Sequence, residues 1–316
     1  MLFITNKMVN ETNGKLTFKP GNELSNSLLY CETDLGCSSA KTSSITFTEI
    51  FSKPFMQTIK QHACSDVLFY IHGFNNQPCE VLANATLLQT EFDQQNSNVL
   101  IIPIIWPCDD DIGVVKDYWD DQDAAEASGR YLSRTLSKLL AWQQECVDLG
   151  QGACLKRMHV LAHSMGNRVL MKSLSHWRKH VGNGQIPYLF TNTFMLAADI
   201  PNEALEQHEE GHSISMASQR VHCFYANDDI AMTASKISNV INRVFSRRLG
   251  HTGPERMAKT PDNVYAINCD SFNNKFDFKG HTYFLPKDGV VSPALQYIVD
   301  MIKRQEVELT AKKVTL

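Results

Sequence analysis

An apolar run that leads directly into a serine constrains this chain more than any other stretch. The run covers residues 158–162, and Ser164 follows it two positions before Gly166. Beyond the serine, apolar residues recur at helical spacing through residues 169–177. The pattern therefore predicts that a buried strand, a tight turn and a helix meet at Ser164.

The residues around Ser164 match the pattern small-x-Ser-x-Gly, with Ala162 in place of the first glycine of G-x-S-x-G. In the strand-to-helix turn called the nucleophile elbow, a strained backbone lifts a serine Oγ clear of the chain. The flanking residues must be small because a larger side chain would clash where the chain folds back. We therefore interpret Ser164 as a nucleophile.

Strand-like and helix-like segments alternate along the rest of the chain, which is typical of βαβ units and a mainly parallel sheet. Strands are predicted at residues 2–6, 28–31, 66–71, 98–105, 158–162, 189–197, 221–226 and 264–268, and helices at 80–93, 120–149 and 292–304, besides the one after Ser164. The sequence predicts an α/β fold with a mainly parallel central sheet, helices on both faces and a small loop/helix cap.

The length of 316 residues is compatible with one large domain, which we expect to span residues 1–316. Residues 1–65 are expected to supply edge strands and a lead-in. Segments 199–219 and 242–262 are expected to form cap or lid pieces, and residues 306–316 a flexible tail.

The composition limits the classes of protein that fit. A net charge of −4 gives no basic face for nucleic acid. The first residues turn polar too early for a signal peptide, and no run of about eighteen apolar residues follows. We therefore expect a soluble, cytoplasmic protein without an integral membrane segment. Nine cysteines without a C-x-x-C pair indicate neither a disulfide framework nor a zinc knuckle, and no cofactor or oligomeric state is indicated.

A His-Gly-aromatic turn follows the predicted strand at residues 66–71, at the edge where a parallel sheet collects its reactive groups. Gly73, after His72, lets the backbone approach a substrate, and the next N–H can point inward. We therefore expect the N–H groups of Phe74 and Met165 to form an oxyanion hole. The dipole of the helix after the serine would also favour negative charge there.

Three acids and one histidine are candidate partners of the serine. An acid beyond a strand end can orient a histidine, although aspartates also form turns at such points. We rank Asp229 first, then Asp228, then Asp199 on the preceding strand. His281 lies after the last predicted strand and before the final helix, so the residues occur in the order serine, acid, histidine.

A competing pattern, H-E-x-x-H, occurs at His208, Glu209 and His212. On a helix this spacing puts two zinc ligands on one face, with the glutamate as a general base. Zinc-binding helices of this kind are apolar around the motif, whereas the flanks here are acidic and polar. We therefore expect a solvated helix and no metal. A zinc metallohydrolase, or a binding protein with the fold but without turnover, remains as an alternative.

Together these motifs resemble those of the α/β-hydrolases, and more closely a bacterial lineage known as the DUF900 family. The resemblance rests on residues 1–7, 72–75, 162–167, 229–232 and 248–250, and on Trp106, Pro107, Tyr118, Asp121, Ser128, Gly253, Pro254, Gly280 and His281. It implies an α/β-hydrolase fold with Ser164 as nucleophile. The match of Asp-x-Ala-Met to the family's Asp-x-Ala-Leu selects Asp229, with Asp228 one residue away.

These inferences predict a serine hydrolase that cleaves an ester, thioester or amide of a small or lipid-like substrate. Ser164 would form the acyl-enzyme, His281 would carry the proton and Asp229 would orient the imidazole. Water would release the acyl group, and an alcohol or amine acceptor stays open. The substrate pocket is expected from residues 106–123, 199–219 and 242–262.

Overall fold

The computed structural model describes residues 1–34, 45–108, 116–230, 247–303 and 311–316, with only the backbone for residues 116–120. Its strands are β1 (Leu2–Lys7), β2 (Val9–Thr12), β3 (Lys15–Phe18), β4 (Leu24–Glu32), β5 (Thr48–Ile50), β6 (Asp66–Ile71), β7 (Val99–Ile105), β8 (Arg157–His163), β9 (Phe190–Leu196), β10 (Ser218–Tyr225), β11 (Val264–Asn268) and β12 (Lys313–Thr315). Its helices are α1 (Ser52–Gln61), α2 (Pro78–Gln94), α3 (Lys116–Asp148), α4 (Gly166–His180), α5 (His212–Met216), α6 (Leu249–Thr252), α7 (Asn273–Phe276) and α8 (Pro293–Lys303), with a 3-10 helix at Met257–Lys259.

Ten strands form one sheet in the order β12-β11-β10-β9-β8-β6-β7-β1-β4-β5, and β2 and β3 pair separately. Neighbouring strands from β12 to β1 run parallel, whereas β4 and β5 are antiparallel to their neighbours. The predicted mainly parallel sheet is therefore confirmed. Because all the parallel strands run the same way, their C-terminal ends meet at one edge.

Helices cover both faces of this sheet. Phe55 of α1, Leu132 of α3 and Leu170 of α4 belong to the apolar cluster on one face. Leu88 of α2 and Ile298 of α8 belong to the cluster on the other face. Central strands such as β7 are apolar at nearly every position because both of their faces are covered.

Several boundaries agree closely with the sequence patterns. The predicted strands at residues 66–71 and 264–268 coincide with β6 and β11, and helices α2 and α8 lie within two residues of their predicted ends. The patterns missed α1, β5 and the β2–β3 hairpin. Short or amphipathic elements next to the sheet edge carry weak periodicity, so their pairing partners decide their structure.

The expected flexible tail at residues 306–316 is wrong for its last part. Lys313, Val314 and Thr315 pair in parallel with β11 and make β12 an edge strand of the sheet. Three residues are too few to show strand alternation in sequence, and the partner strand fixes their conformation. Residues 306–310 lie outside the described residues.

The expected cap at residues 199–219 is also corrected. This segment connects β9 to β10, and Ile200, Leu205 and Ile214 are fully buried in the core cluster beside α4. Of the second cap segment, residues 242–246 lie outside the described residues, and Leu249 and Gly250 donate backbone hydrogen bonds to the chain that follows β9. Residues 248–250 are therefore packed against the connection between β9 and β10, whereas residues 255, 256, 258 and 259 are exposed.

None of the helices in the described ranges is both long enough and apolar enough to cross a bilayer.

Candidate active site

Ser164 lies between the end of β8 and the start of α4 in a strained conformation. Its φ of 50° falls in the left-handed region, which is costly for a residue with a side chain. The Ser164 N–H donates to Leu196 O at 2.9 Å, and its carbonyl accepts from the Asp199 N–H at 3.1 Å. The backbone N–H and the carbonyl of Ser164 are thus both hydrogen-bonded to residues 196–199, at the end of β9 and just after it. These two bonds keep the strained turn in place.

The turn after β6 lies directly against this elbow. A Cβ on Gly166 would lie 2.4 Å from His72 O, and a Cβ on Gly73 would lie 3.0 Å from the Ser164 Cβ. The first distance leaves no room for a side chain, and the second would force the Ser164 side chain to shift. Gly166 is therefore required by the backbone beyond the end of β6 as well as by the elbow itself.

We expect Gly166→Ala to lower the free energy of unfolding by about 1–3 kcal/mol or more, because the new methyl group must push the rigid backbone of His72 away. Ala162→Gly, in the same elbow, removes a methyl group that meets no such obstacle and should cost about 1 kcal/mol or less. Urea denaturation of both variants measures the difference. Equal losses would contradict the close approach to His72.

His72 is a buried hydrogen-bonding residue that fixes this turn. Its Nδ1–H donates to Gly73 O at 2.8 Å, and its Nε2 accepts from the Trp106 N–H at 3.1 Å. The Trp106 indole N–H donates to His72 O at 2.8 Å, and the two rings stack 5.0 Å apart. Burial lowers the pKa of His72 to about 4, so the ring is neutral. His72 therefore ties the ends of β6 and β7 together.

The two predicted oxyanion donors are the N–H groups of Phe74, in the turn after β6, and of Met165, in the elbow. Phe74 follows Gly73 and is half-buried. Met165 is fully buried at the start of α4, and within the described part of the chain its N–H donates no hydrogen bond. An undonated N–H at a helix start suits a developing negative charge.

Asp229 and His281 are in direct contact. The Nδ1–H of His281 donates to Asp229 Oδ2 at 2.7 Å, and the Asp229 side chain is fully buried. With the proton on Nδ1, the Nε2 of a neutral ring carries the lone pair. Burial alone would lower the pKa of His281, but the Asp229 carboxylate, with Asp199 and Asp277, outweighs it and raises the pKa above 6.5.

The other two candidate acids have different partners. Asp228 is exposed, and its carboxylate accepts from Asn273 Nδ2 at 2.6 Å and from Asn274 Nδ2. The Asp199 carboxylate is buried, with Oδ1 3.1 Å from Nε of Arg248. Of the three acids, Asp229 is therefore the one hydrogen-bonded to the His281 ring.

The sequence patterns missed Asp277, which holds the loop that carries His281. Its Oδ2 accepts the N–H groups of His281 and Thr282, both at 2.8 Å. Burial would raise its pKa, but the donated backbone N–H groups lower it. An aspartate three residues before Gly280 is a typical turn signal, so the residue could have been found from sequence.

His163, next to the serine, packs against His281. Its Nε2–H donates to His281 O at 3.3 Å, and the ring centroids are 4.8 Å apart. Burial, together with the charge of a protonated His281, holds the pKa of His163 well below 6.5. His163 is therefore a neutral packing residue that links the elbow to the His281 loop.

The H-E-x-x-H residues do not share a helix. His208 has a φ of 80° and Glu209 lies in a turn, whereas His212 begins α5. The expected solvated helix is therefore wrong, because the segment turns before α5 and the motif spans the break. Among the residues that the structure describes, no group of three or more His, Cys, Asp or Glu side chains is close enough to hold a metal ion.

A parallel sheet covered on both faces, with a strained serine between a strand and a helix, defines an α/β-hydrolase fold. The chain matches the family model described as an alpha/beta hydrolase of unknown function (DUF900) over residues 48–299, and it belongs to that family. No curated protein matches the chain.

Proposed function

We propose that this protein is a serine hydrolase that cleaves an ester, thioester or amide through an acyl-enzyme on Ser164. The observation that carries the proposal is the hydrogen bond between buried Asp229 and His281 on a loop packed against the strained elbow. A binding protein would have no use for a buried carboxylate bonded to a histidine that packs against the residue before a strained serine.

The reaction follows from the roles of these groups. Ser164 Oγ attacks the acyl carbon while its proton passes to Nε2 of His281, and the carbonyl oxygen becomes an oxyanion. The N–H groups of Phe74 and Met165 stabilise that charge. The imidazolium, held by Asp229, then protonates the leaving group. Water enters, gives its proton to His281, and releases the acid and the free serine.

An apolar, lipid-like acyl group fits the surroundings of the site better than a charged one. Ile230 follows Asp229 and is 55% exposed, and Phe278 precedes His281 by three residues and is 87% exposed. The Ile230 N–H donates to Lys279 O at 3.0 Å, so the two loops lie side by side. Exposed apolar side chains that lie on adjacent loops mark a contact surface more often than single ones do, so we expect these two to face the acyl group.

A fluorophosphonate probe tests the proposed nucleophile. We expect one probe per chain, mapped to the peptide that contains Ser164, because an activated serine attacks phosphorus as it attacks an acyl carbon. Ser164→Ala should abolish labelling, and Ser271→Ala, which removes an exposed serine, should leave it unchanged. Labelling that survives Ser164→Ala, or an unlabelled wild-type protein, would overturn the proposal. An acyl-chain series of activated esters then sizes the pocket.

A further inference from the structure

The turn that carries the proposed oxyanion donor Phe74 lies directly against the nucleophile. A Cβ on Gly73 would lie 2.8 Å from His163 Nδ1 and 3.0 Å from the Ser164 Cβ. Phe74 is the next residue, so a rotation of the peptide group between Gly73 and Phe74 would redirect its N–H relative to Ser164. The orientation of this peptide group therefore matters for the proposed reaction.

Two side chains bind the carbonyl groups on either side of Phe74. The Nδ1–H of His72 donates to Gly73 O at 2.8 Å, and Nδ2–H of Asn76 donates to Phe74 O at 2.7 Å. Gly73 O and the Phe74 N–H belong to one planar trans peptide group and point in opposite directions. Because the peptide planes before and after Phe74 are both held, the direction of its N–H is fixed.

Asn76 is itself held by the segment that follows β7. Its carbonyl accepts a hydrogen bond from the Cys108 thiol, with Sγ 3.1 Å from the oxygen. Cys108 is 1% exposed, and its own carbonyl accepts from Lys7 Nζ at 3.1 Å. Lys7 ends β1, is 2% exposed, and also donates to Gly21 O. A buried ammonium is costly to leave without its acceptors, so Lys7 anchors Cys108 to the sheet.

We propose that Asn76 and Cys108 are positioning residues of the oxyanion hole: Asn76 orients the peptide groups around Phe74, and Cys108, anchored by Lys7, holds Asn76. The inference rests on the proposed function, because it concerns the same oxyanion. Both residues act through the backbone of the turn. The charge that this backbone stabilises develops in the transition state, so the loss of either side chain should lower kcat and leave KM near the wild-type value.

Asn76→Ala removes the donor to Phe74 O and tests the first contact. We expect kcat for an activated ester to fall about 10- to 100-fold, with KM within about twofold of the wild type, because the oxyanion donor is displaced. Asn98→Ala is the matched control. Asn98 Nδ2 also donates to a backbone carbonyl, Ala63 O at 3.2 Å, but it precedes β7 at the opposite edge of the sheet. This control should keep the wild-type kcat.

A pair of substitutions at Cys108 tests the second contact. Cys108→Ala removes the thiol donor and should lower kcat about three- to tenfold, whereas Cys108→Ser keeps a donor and should restore kcat to within about twofold. Cys146→Ala, which removes a thiol that is 3% exposed on α3, should leave kcat unchanged. A packing role alone would lower the free energy of unfolding of Cys108→Ala without changing kcat of the folded variant.

An unchanged kcat in folded Asn76→Ala would overturn the inference, and so would a loss in kcat/KM that comes entirely from a higher KM. If Asn76→Ala fails to fold, the comparison of Cys108→Ala with Cys108→Ser still decides. The rate of fluorophosphonate labelling separates the two proposals. A wild-type protein that is not labelled would refute both, whereas Asn76→Ala that is labelled at the wild-type rate would refute the positioning inference alone.

Discussion

Asp229→Asn is expected to reduce kcat/KM for an activated ester by about 10⁴-fold, by analogy with the loss of the orienting acid in other serine hydrolases. Asp229 accepts the Nδ1–H of His281 at 2.7 Å and is fully buried. The asparagine amide can donate to Nδ1 instead, which moves the ring proton to Nε2. The ring then presents an N–H to the serine and cannot accept its proton.

Asp228→Asn provides the matched control, because it makes the same change one residue away. Asp228 is bound by Asn273 and Asn274 and makes no contact with the His281 ring in the described structure. Its kcat/KM should stay within about tenfold of the wild type, since the hydrogen bonds that change are those to Asn273 and Asn274 and not the one to the His281 ring. A larger loss in Asp228→Asn than in Asp229→Asn would reassign the acid.

Acid-induced unfolding is the second large effect that we expect. Four buried histidines are kept from protonation: burial lowers the pKa of His72 to about 4 and of His222 to about 3, lowers that of His159, and holds that of His163 well below 6.5. The folded protein therefore contains neutral imidazoles that the unfolded chain would protonate below about pH 6.5.

Two of these histidines belong to a buried chain of hydrogen bonds across the sheet. His159 Nε2–H donates to Asp66 at 2.9 Å, and Asn192 Nδ2–H donates to His159 Nδ1 at 3.1 Å. His222 Nε2–H donates to Asn192 Oδ1 at 3.2 Å, and the Tyr297 hydroxyl donates to His222 Nδ1 at 3.1 Å. Each donor in this series of hydrogen bonds has one acceptor. A proton added to Nδ1 of either histidine would therefore remove the acceptor for Asn192 or for Tyr297.

The sign of the pH dependence follows from proton uptake. Below about pH 6.5 the unfolded chain binds more protons at these four positions than the folded protein does, so stability falls as the pH falls. Each group removes up to about 1.4 kcal/mol for each pH unit, and together the four remove up to about 5 kcal/mol per unit. His281 has the opposite shift, and its contribution is complete below pH 6.5. A typical stability of about 5–15 kcal/mol would be lost within a few pH units.

Urea denaturation from about pH 7.5 to pH 5 measures this slope. His222→Gln should reduce the slope by about 1.4 kcal/mol per pH unit, because the unfolded chain then has one fewer imidazole that takes up a proton only on unfolding. A stability that stays level to about pH 5 would show that these imidazoles accept protons in the folded state.

Much of the site is readable in local sequence. The apolar run, the small residues around Ser164 and the glycine after His72 are short-range signals, because a strained turn and a close backbone approach restrict residue size at fixed positions. Asp277 would have been readable for the same reason. The ion pair between Arg248 and Asp199 could not be read from the sequence, because the two residues are 49 positions apart and no local pattern marks them as partners.

The sequence by itself determined the alternation of strands and helices, the elbow, and the order serine, acid, histidine. Only the tertiary structure decided which of two adjacent aspartates contacts His281, because adjacent residues at the end of a strand point in different directions. It also decided that residues 199–219 are packed in the core and that Lys313–Thr315 close one edge of the sheet. Such outcomes depend on burial and pairing between distant segments, which residue periodicity does not encode.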